Sequence, residues 1–138
     1  MKMAFLLDTN VFGELSRPKP SRQLTRRFER HVDEIVTASI VVHEIWFAIE
    51  RLPRSRKREH LERFMAEIVS GVRVLPYGER AARWHAAERA RLAAAGRPAP
   101  QEDGQIAAIC AIHDATLVTA NVAHFAPFKG LVVENWLD

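Results

Sequence analysis

Cysteine, lysine, glycine-rich turns and long apolar runs are all scarce in this chain, and each scarcity removes a class of explanation. The single cysteine, Cys110, cannot form an internal disulfide, and its neighbours Ile106, Ile109 and Ala111 make it read as a core residue rather than a nucleophile. That usage fits a reducing cytosol. No apolar run approaches the roughly 20 residues of a membrane span, and the first one stops at Asp8, well short of a signal peptide's apolar region. The expectation is a cytoplasmic protein without a membrane partner. No glycine-rich turn follows the first apolar segment, which argues against a phosphate loop or a dinucleotide fingerprint. Zinc-type ligand pairs are missing too: His43-Glu44 begins like a zinc-protease motif, but Phe47 stands where the second histidine is needed. His31, His60, His85 and His113 fall in helical segments and read as surface or core residues.

At 138 residues the chain suits one domain, residues 1–138, able to bury roughly two thirds of its unfolded surface. It contains no internal repeat, low-complexity tract or dividing linker. Strand and helix alternate instead. Strands are expected at Ala4 to Leu7, Ile35 to Ala38, Val72 to Leu75, Thr116 to Thr119 and Leu131 to Val133. Helices are expected at Asn10 to Ser16, Ser21 to His31, Ser39 to about Leu52, Ser55 to Ser70, Glu79 to Ala95 and Glu102 to His113, several with a serine cap or a proline or glycine stop. Leu24 and Phe28 on the second helix, and Leu61, Phe64, Met65 and Ile68 on the fourth, face inward. The pattern is that of an α/β fold, a three-layer sandwich with a central parallel sheet of four to five strands between helices.

Three carboxylates stand where such a pattern should tolerate none. Asp8 closes the apolar run Ala4-Phe5-Leu6-Leu7. Glu44 has Ile40, Val41, Phe47 and Ala48 three and four positions away, so no wet helix face is available to it. Asp103 opens the nearly apolar helix that runs through Ile106 to Cys110. Burying an unpaired carboxylate costs several kcal/mol, so acids in such surroundings usually meet a cation. Open parallel sheets form their sites at the carboxyl ends of the strands. Asp8 ends the first strand, Glu44 lies one turn into the helix after the second, Asp103 starts the helix before the fourth, and Asn121 follows the fourth. All four can face one crevice. Taken singly, Asp8 and Asp103 could be helix caps and Glu44 half of a buried ion pair with one of sixteen arginines; together they favour a site. Oxygen ligands suit Mg²⁺ or Mn²⁺.

Charge adds a second strand of argument. The net charge is +3 and the sequence pI about 9.5, but the positive residues are segregated. Arg17, Lys19, Arg22, Arg26, Arg27 and Arg30 form one group, and Arg51, Arg54, Arg56, Lys57, Arg58 and Arg63 another, while Lys129 alone lies beyond Arg97. These are either solvated helix faces or contacts for a polyanion, since forked guanidinium groups favour phosphate oxygens.

The segments Leu6-Leu7-Asp8-Thr9-Asn10-Val11, Ser39 with Glu44 five residues on, Arg97-Pro98 leading to Asp103 with Ile106-Ala107-Ala108, and Leu117-Val118-Thr119-Ala120-Asn121 leading to Phe125 occur in order along nearly the whole chain. In this it resembles a PIN-domain ribonuclease, and more narrowly the VapC or FitB-like toxins of type II toxin–antitoxin pairs. The resemblance implies Mg²⁺- or Mn²⁺-dependent cleavage of RNA, in many members a tRNA or another structured RNA, with inhibition of translation until a cognate small DNA-binding antitoxin neutralises the toxin. It also implies a homodimer that assembles further with the antitoxin. Asp8, Glu44 and Asp103 match the family's acidic metal-binding triad, and Asn121 the polar position after the fourth strand. One position departs: His124 precedes Phe125 where many relatives carry aspartate. Glu102 is rotated about 100° from Asp103 on a helix and should point elsewhere. Thr9 and Ser39 could hydrogen-bond the acids or simply cap helices.

The expected reaction is metal-assisted hydrolysis of a phosphodiester, with a 3′ oxygen leaving. The alternative is a catalytically weak or inactive PIN-like module that binds RNA or a partner protein. A phosphotransferase of the haloacid dehalogenase type fits less well, because Asn10 stands where its second aspartate belongs. Trp46 and Phe47 read either as core or as part of a dimer or antitoxin surface.

Overall fold

The computed structural model describes residues 4–137. Strand β1 (Phe5–Leu7) is followed by α1 (Thr9–Leu15) and α2 (Arg22–Arg30), and β2 (Ile35–Ala38) by α3 (Ser39–Glu50) and α4 (Arg56–Glu67). Then β3 (Arg73–Leu75) is followed by α5 (Glu79–Ala94) and α6 (Gln101–Ile112), and β4 (Thr116–Val118) by the single turn α7 (Val122–Phe125) and β5 (Val133–Glu134). All pairings are parallel, in the order β3-β2-β1-β4-β5. The central strands β1, β2 and β4 are buried along their whole length, as strands covered on both faces must be. Helices cover both faces because right-handed crossovers run one way from β1 through β2 to β3 and the other way from β4 to β5. The chain's direction across the sheet therefore reverses between β1 and β4. Open sheets form their crevice at such a reversal, outside the strands' carboxyl ends.

Local chemistry accounts for most element ends. Asp8 caps α1 by accepting from the Thr9 N–H, Ser21 caps α2 through Leu24 N, and Ser55 caps α4 through Arg58 N; a cap of this kind contributes about 1 kcal/mol. Leu24, Met65 and Cys110 are buried, and Phe28, Leu61 and Phe64 pack against the same core. Burial pushes the Cys110 thiol far above its ordinary range, as expected of a core residue.

Several boundaries depart from the sequence pattern. Ser39 is the first residue of α3 and not its cap; Ala38 holds that position without a side-chain bond. Helix α6 starts at Gln101, one residue before the expected Glu102, with Pro100 at the cap position, so Asp103 lies in its first turn and is not its cap. The last strand is Val133–Glu134, which starts at the last residue of the apolar triplet that suggested it, and α7 was not foreseen because four residues are too few to show a period. Ile68 is more than a third exposed and lies outside the core, because α4 ends at Glu67 and the chain turns away before it can face inward. Trp46 and Phe47 are exposed on α3 and are not core.

Helices α5 and α6 pack closely at one point. A methyl group built on Gly104 would stand 2.2 Å from Nε2 of His85, so glycine is what lets the buried imidazole lie against α6 one residue from Asp103. The Tyr77 hydroxyl lies 2.9 Å from Nδ1 of that ring. Further along α5, Arg91 grips Glu88 through two bonds of 2.8 and 2.9 Å and donates to the Pro127 carbonyl, while Glu88 accepts from Lys129 N. This clamp lowers the Glu88 carboxyl to about 2, chiefly through the Arg91 bond, and ties α5 to the loop that follows α7.

Gly104→Ala should destabilise the protein by about 1–3 kcal/mol, the usual cost of overpacking, in urea unfolding, and by less in a His85→Ala background; equal costs in both would dissociate the glycine from the imidazole. Burial, and then Arg89, hold the His85 pKa below 6.5. The unfolded chain therefore takes up the proton first, and stability falls as pH drops through 6.5. NMR titration should find His85 protonating below that value, and a midpoint above it would contradict the packing.

Candidate active site

The crevice at the reversal between β1 and β4 is built from short polar residues placed directly after buried apolar strands. Asp8 follows β1 with only 6% of its surface exposed, a position that needs every lone pair accounted for. One oxygen, Oδ1, accepts from Thr9 N at 2.8 Å. The other, Oδ2, accepts from the Thr119 hydroxyl at 2.9 Å and the Asn10 amide at 3.4 Å. Thr119 is wholly buried after β4, and its Oγ1 also accepts from Asn10 Nδ2 at 3.2 Å and from Asn121 N at 3.1 Å. That hydroxyl therefore uses its one hydrogen and both lone pairs. Asn10 closes the ring, its Oδ1 accepting from Ala120 N at 3.0 Å. The peptide donor fixes which way the Asn10 amide faces.

Glu44 joins through the neighbouring residue, because the Thr9 hydroxyl donates to Glu44 Oε2 at 2.6 Å. Thr9 thus links the first two acids, its N–H on Asp8 and its hydroxyl on Glu44. Asp103 approaches from the first turn of α6, on the opposite wall. Burial pushes its carboxyl above the ordinary range; His124 opposes the rise, and Asp8, Glu44 and Glu102 add to it. The three acids therefore share one electrostatic neighbourhood, although they come from distant parts of the chain. No ion pair engages Asp8, Glu44 or Asp103 among the described residues, which removes the buried-ion-pair explanation of Glu44. Asp8 does cap a helix, but the cap uses one oxygen only.

The donor set consists of carboxylate oxygens backed by hydroxyl and amide groups, which fits a hard divalent cation such as Mg²⁺ or Mn²⁺. Among the described residues no three His, Cys, Asp or Glu side chains converge tightly enough to grip one ion as they stand. With Asp8 held by its neighbours, rotation of the Asp103 and Glu44 side chains would have to close the site, and attraction to the cation, which offsets the repulsion among the acids, is the force that would do so. Asn121 stands at the exposed rim, capping α7 without a side-chain bond, and only its backbone enters the network. Glu102 and Asp103 line different cavities, as the helical rotation requires, yet Glu102 shares a cleft with Glu44. Ser39 lines that cleft and caps nothing. Sequence reasoning missed the positioning roles of Asn10 and Thr119; the signal available was a polar residue at each place where a fully apolar strand ends.

Comparison with known proteins agrees with this fold. The family model described as PIN domain matches residues 5–126. The chain is 31% identical to the tRNA(fMet)-specific endonuclease VapC of Shigella flexneri, covering 97% of this chain and 98% of that protein. It is 28% identical to Toxin FitB of Neisseria gonorrhoeae, covering 96% and 99%. Its fold matches a structure of FitAB bound to an IR36 DNA fragment with a TM-score of 0.86 at 28% identity, over 97% of this chain and 96% of that one. It matches DNA-bound VapBC from Salmonella typhimurium equally well, with a TM-score of 0.86 at 28% identity over 97% and 98%.

Thr119→Val keeps the shape of the buried side chain but removes the donor to Asp8 and the acceptor for Asn10. It should cost about 1–3 kcal/mol, the penalty for leaving buried polar groups unpaired, in denaturant unfolding, whereas Thr119→Ser should recover most of it. A neutral valine variant would show that the ring of bonds does not hold the site.

Proposed function

The chain belongs to the PIN-domain family, within its FitB and VapC toxin group, and from that premise we propose that it is a divalent-metal-dependent endoribonuclease, the toxin of a type II toxin–antitoxin pair. Its substrate would be a tRNA or another structured RNA, cut in the cytoplasm so that translation stops until the antitoxin binds. The observation that carries this reading is the linked support of the acids: Thr9, Asn10 and Thr119 hold Asp8 and Glu44 opposite Asp103, whose carboxyl responds to both. Fixed, repelling carboxylates contribute little to a fold, and they suit a site that awaits positive charge.

Asp8, Glu44 and Asp103 would hold Mg²⁺ or Mn²⁺, which when bound lowers the pKa of water and offsets charge developing on the phosphate. The chain's own groups supply position. Asn10 and Thr119 prevent Asp8 from rotating, Thr9 couples Glu44 to the same turn, and Asn121 offers an amide at the rim for a phosphate oxygen. Among the two basic groups, Lys19, Arg22, Arg26, Arg30, Arg51, Arg54, Arg56, Lys57 and Arg63 are exposed, available to an RNA backbone. Arg27 and Arg58 are engaged instead, donating to the Asn135 and Leu52 carbonyls.

An antitoxin partner is supported by the FitAB and VapBC assemblies among the matching structures. An apolar groove of about 320 Å³ between α1, α3 and α4, lined by Phe12, Ile45, Ile49, Phe64 and Met65, would seat an apolar segment of it. The reading also includes a homodimer and a single domain spanning residues 1–138. No helix among the described residues is long and apolar enough to cross a membrane. The second reading, a catalytically weak module that binds RNA or a partner, draws on His124 standing in place of a fourth acid.

Purified protein should cut tRNA or an unstructured RNA into discrete products with Mg²⁺ or Mn²⁺, not with EDTA, and Asp103→Asn should abolish the products. Metal near 100 times its Kd should stabilise the wild type by about 2.7 kcal/mol and leave the variant unmoved, while the metal-free Tm of Asp103→Asn should equal or exceed that of wild type. A folded protein that turns over no RNA with any metal would favour the binding module.

A further inference from the structure

Two cavities flank the acids, and they differ in chemistry. The larger, about 790 Å³, contains Glu44 and is lined by His43, Phe47, Tyr77, Glu102 and Gln105 among others. The smaller, about 370 Å³, contains Asp103 together with Arg97 and His124. We propose that the larger cleft receives one unpaired nucleobase of the RNA, next to the scissile phosphate, while Arg97 and His124 hold the backbone on the other side of Asp103. This deepens the nuclease reading and rests on it: the chain cuts at positions where a base can leave its stack.

The lining decides between a base and a phosphate. Two carboxylates and no lysine or arginine among the described residues line the larger cleft, so a phosphate would be repelled there. A base brings no charge and has a face to stack. Phe47 offers one, with 57% of its surface exposed, and His43 one turn earlier lies 6.4 Å from it, centroid to centroid. Arg51 sits over one face of the Phe47 ring, 5.4 Å from its centroid, which leaves the other face for a base and places a cation in the stack, an arrangement that adds to single-strand binding. Tyr77 is held by its bond to His85. At the polar end, the Glu102 carboxylate accepts N–H groups of a base edge, and the Gln105 amide both donates and accepts. These are the groups a paired base has already committed, so a duplex cannot use the cleft. Arg97 and His124 put the donors that a backbone needs in the other cavity.

The test uses the Asp103→Asn chain with Mg²⁺, so that binding is measured without cleavage, and a fluorescein-labelled RNA of about 12 nucleotides, long enough for one binding site, alone and annealed to its complement. Fluorescence anisotropy should show tighter binding to the single strand. Adding Phe47→Ala should weaken that binding between about fivefold and a hundredfold, the range of base–aromatic stacking, and Phe47→Tyr should restore it with an unchanged melting temperature. Unchanged affinity in Phe47→Ala, with wild-type cleavage intact, overturns the proposal and leaves the nuclease reading standing. If neither variant binds RNA and the wild type does not cleave it, both readings are overturned. A wild type that binds through Phe47 yet never cleaves overturns the nuclease reading while keeping the base site. If Phe47→Ala changes the oligomeric state in size-exclusion chromatography and not the RNA affinity, the ring belongs to a contact between chains and the proposal fails.

Discussion

The hydroxyl of Thr119 is the smallest group on which the most depends. It bridges the ends of β1 and β4, donating to Asp8 and accepting from Asn10 and the Asn121 peptide, at the point where the chain's direction across the sheet reverses. Without it, a carboxylate almost fully withdrawn from water would lose the bond that offsets its desolvation. With it, Asp8 stays buried and fixed, Thr9 carries that order to Glu44, and the crevice has a rigid wall. The opposite wall depends on a different kind of constraint: Gly104 lets His85 lie against α6, which sets how closely α5 packs on the first turn bearing Asp103.

Charge is distributed in agreement with that construction. Asp8, Glu44 and Asp103 lie toward the carboxyl ends of the strands, the exposed cations of the two basic groups lie on α2, α4 and the connections that follow α1 and α3, and a third set of charged residues, on α5, is paired to hold the fold. Glu88 and Arg91 illustrate the last class: a short bidentate pair that also holds the Pro127 carbonyl and the Lys129 peptide and so anchors the segment after α7. Repulsion among Asp8, Glu44 and Asp103 is the opposite case, a local cost that makes sense only with a cation or a polyanionic substrate's counter-charge to relieve it.

Much of this was legible in the sequence. Apolar runs bounded by polar residues located the strands, and the apolar neighbours of Glu44 singled it out as a candidate, although two of them, Phe47 and Ala48, are exposed, so the helix does have a wet face beside it. Asp8, Glu44 and Asp103 stood out as candidates because a carboxylate in apolar surroundings is costly and conspicuous. Asn10 and Thr119 were not, because a short neutral side chain after a strand looks the same whether it holds an active-site acid or merely turns the chain. Helix starts were off by a residue or two where the cap was a backbone position, as at Ala38 and Pro100, rather than a serine. The exposure of Phe47 could not be read either, since a nearly all-apolar helix has too little polar contrast to say which side faces water.

The central claim is that the three acids form one cation site. Calorimetric titration of Mn²⁺ into the protein tests it directly. Saturable binding of one or two ions that is lost in Glu44→Gln and in Asp103→Asn, with both variants folded, is the result this account predicts. Binding that survives both substitutions, or its absence from a wild type that still cuts RNA, would contradict it.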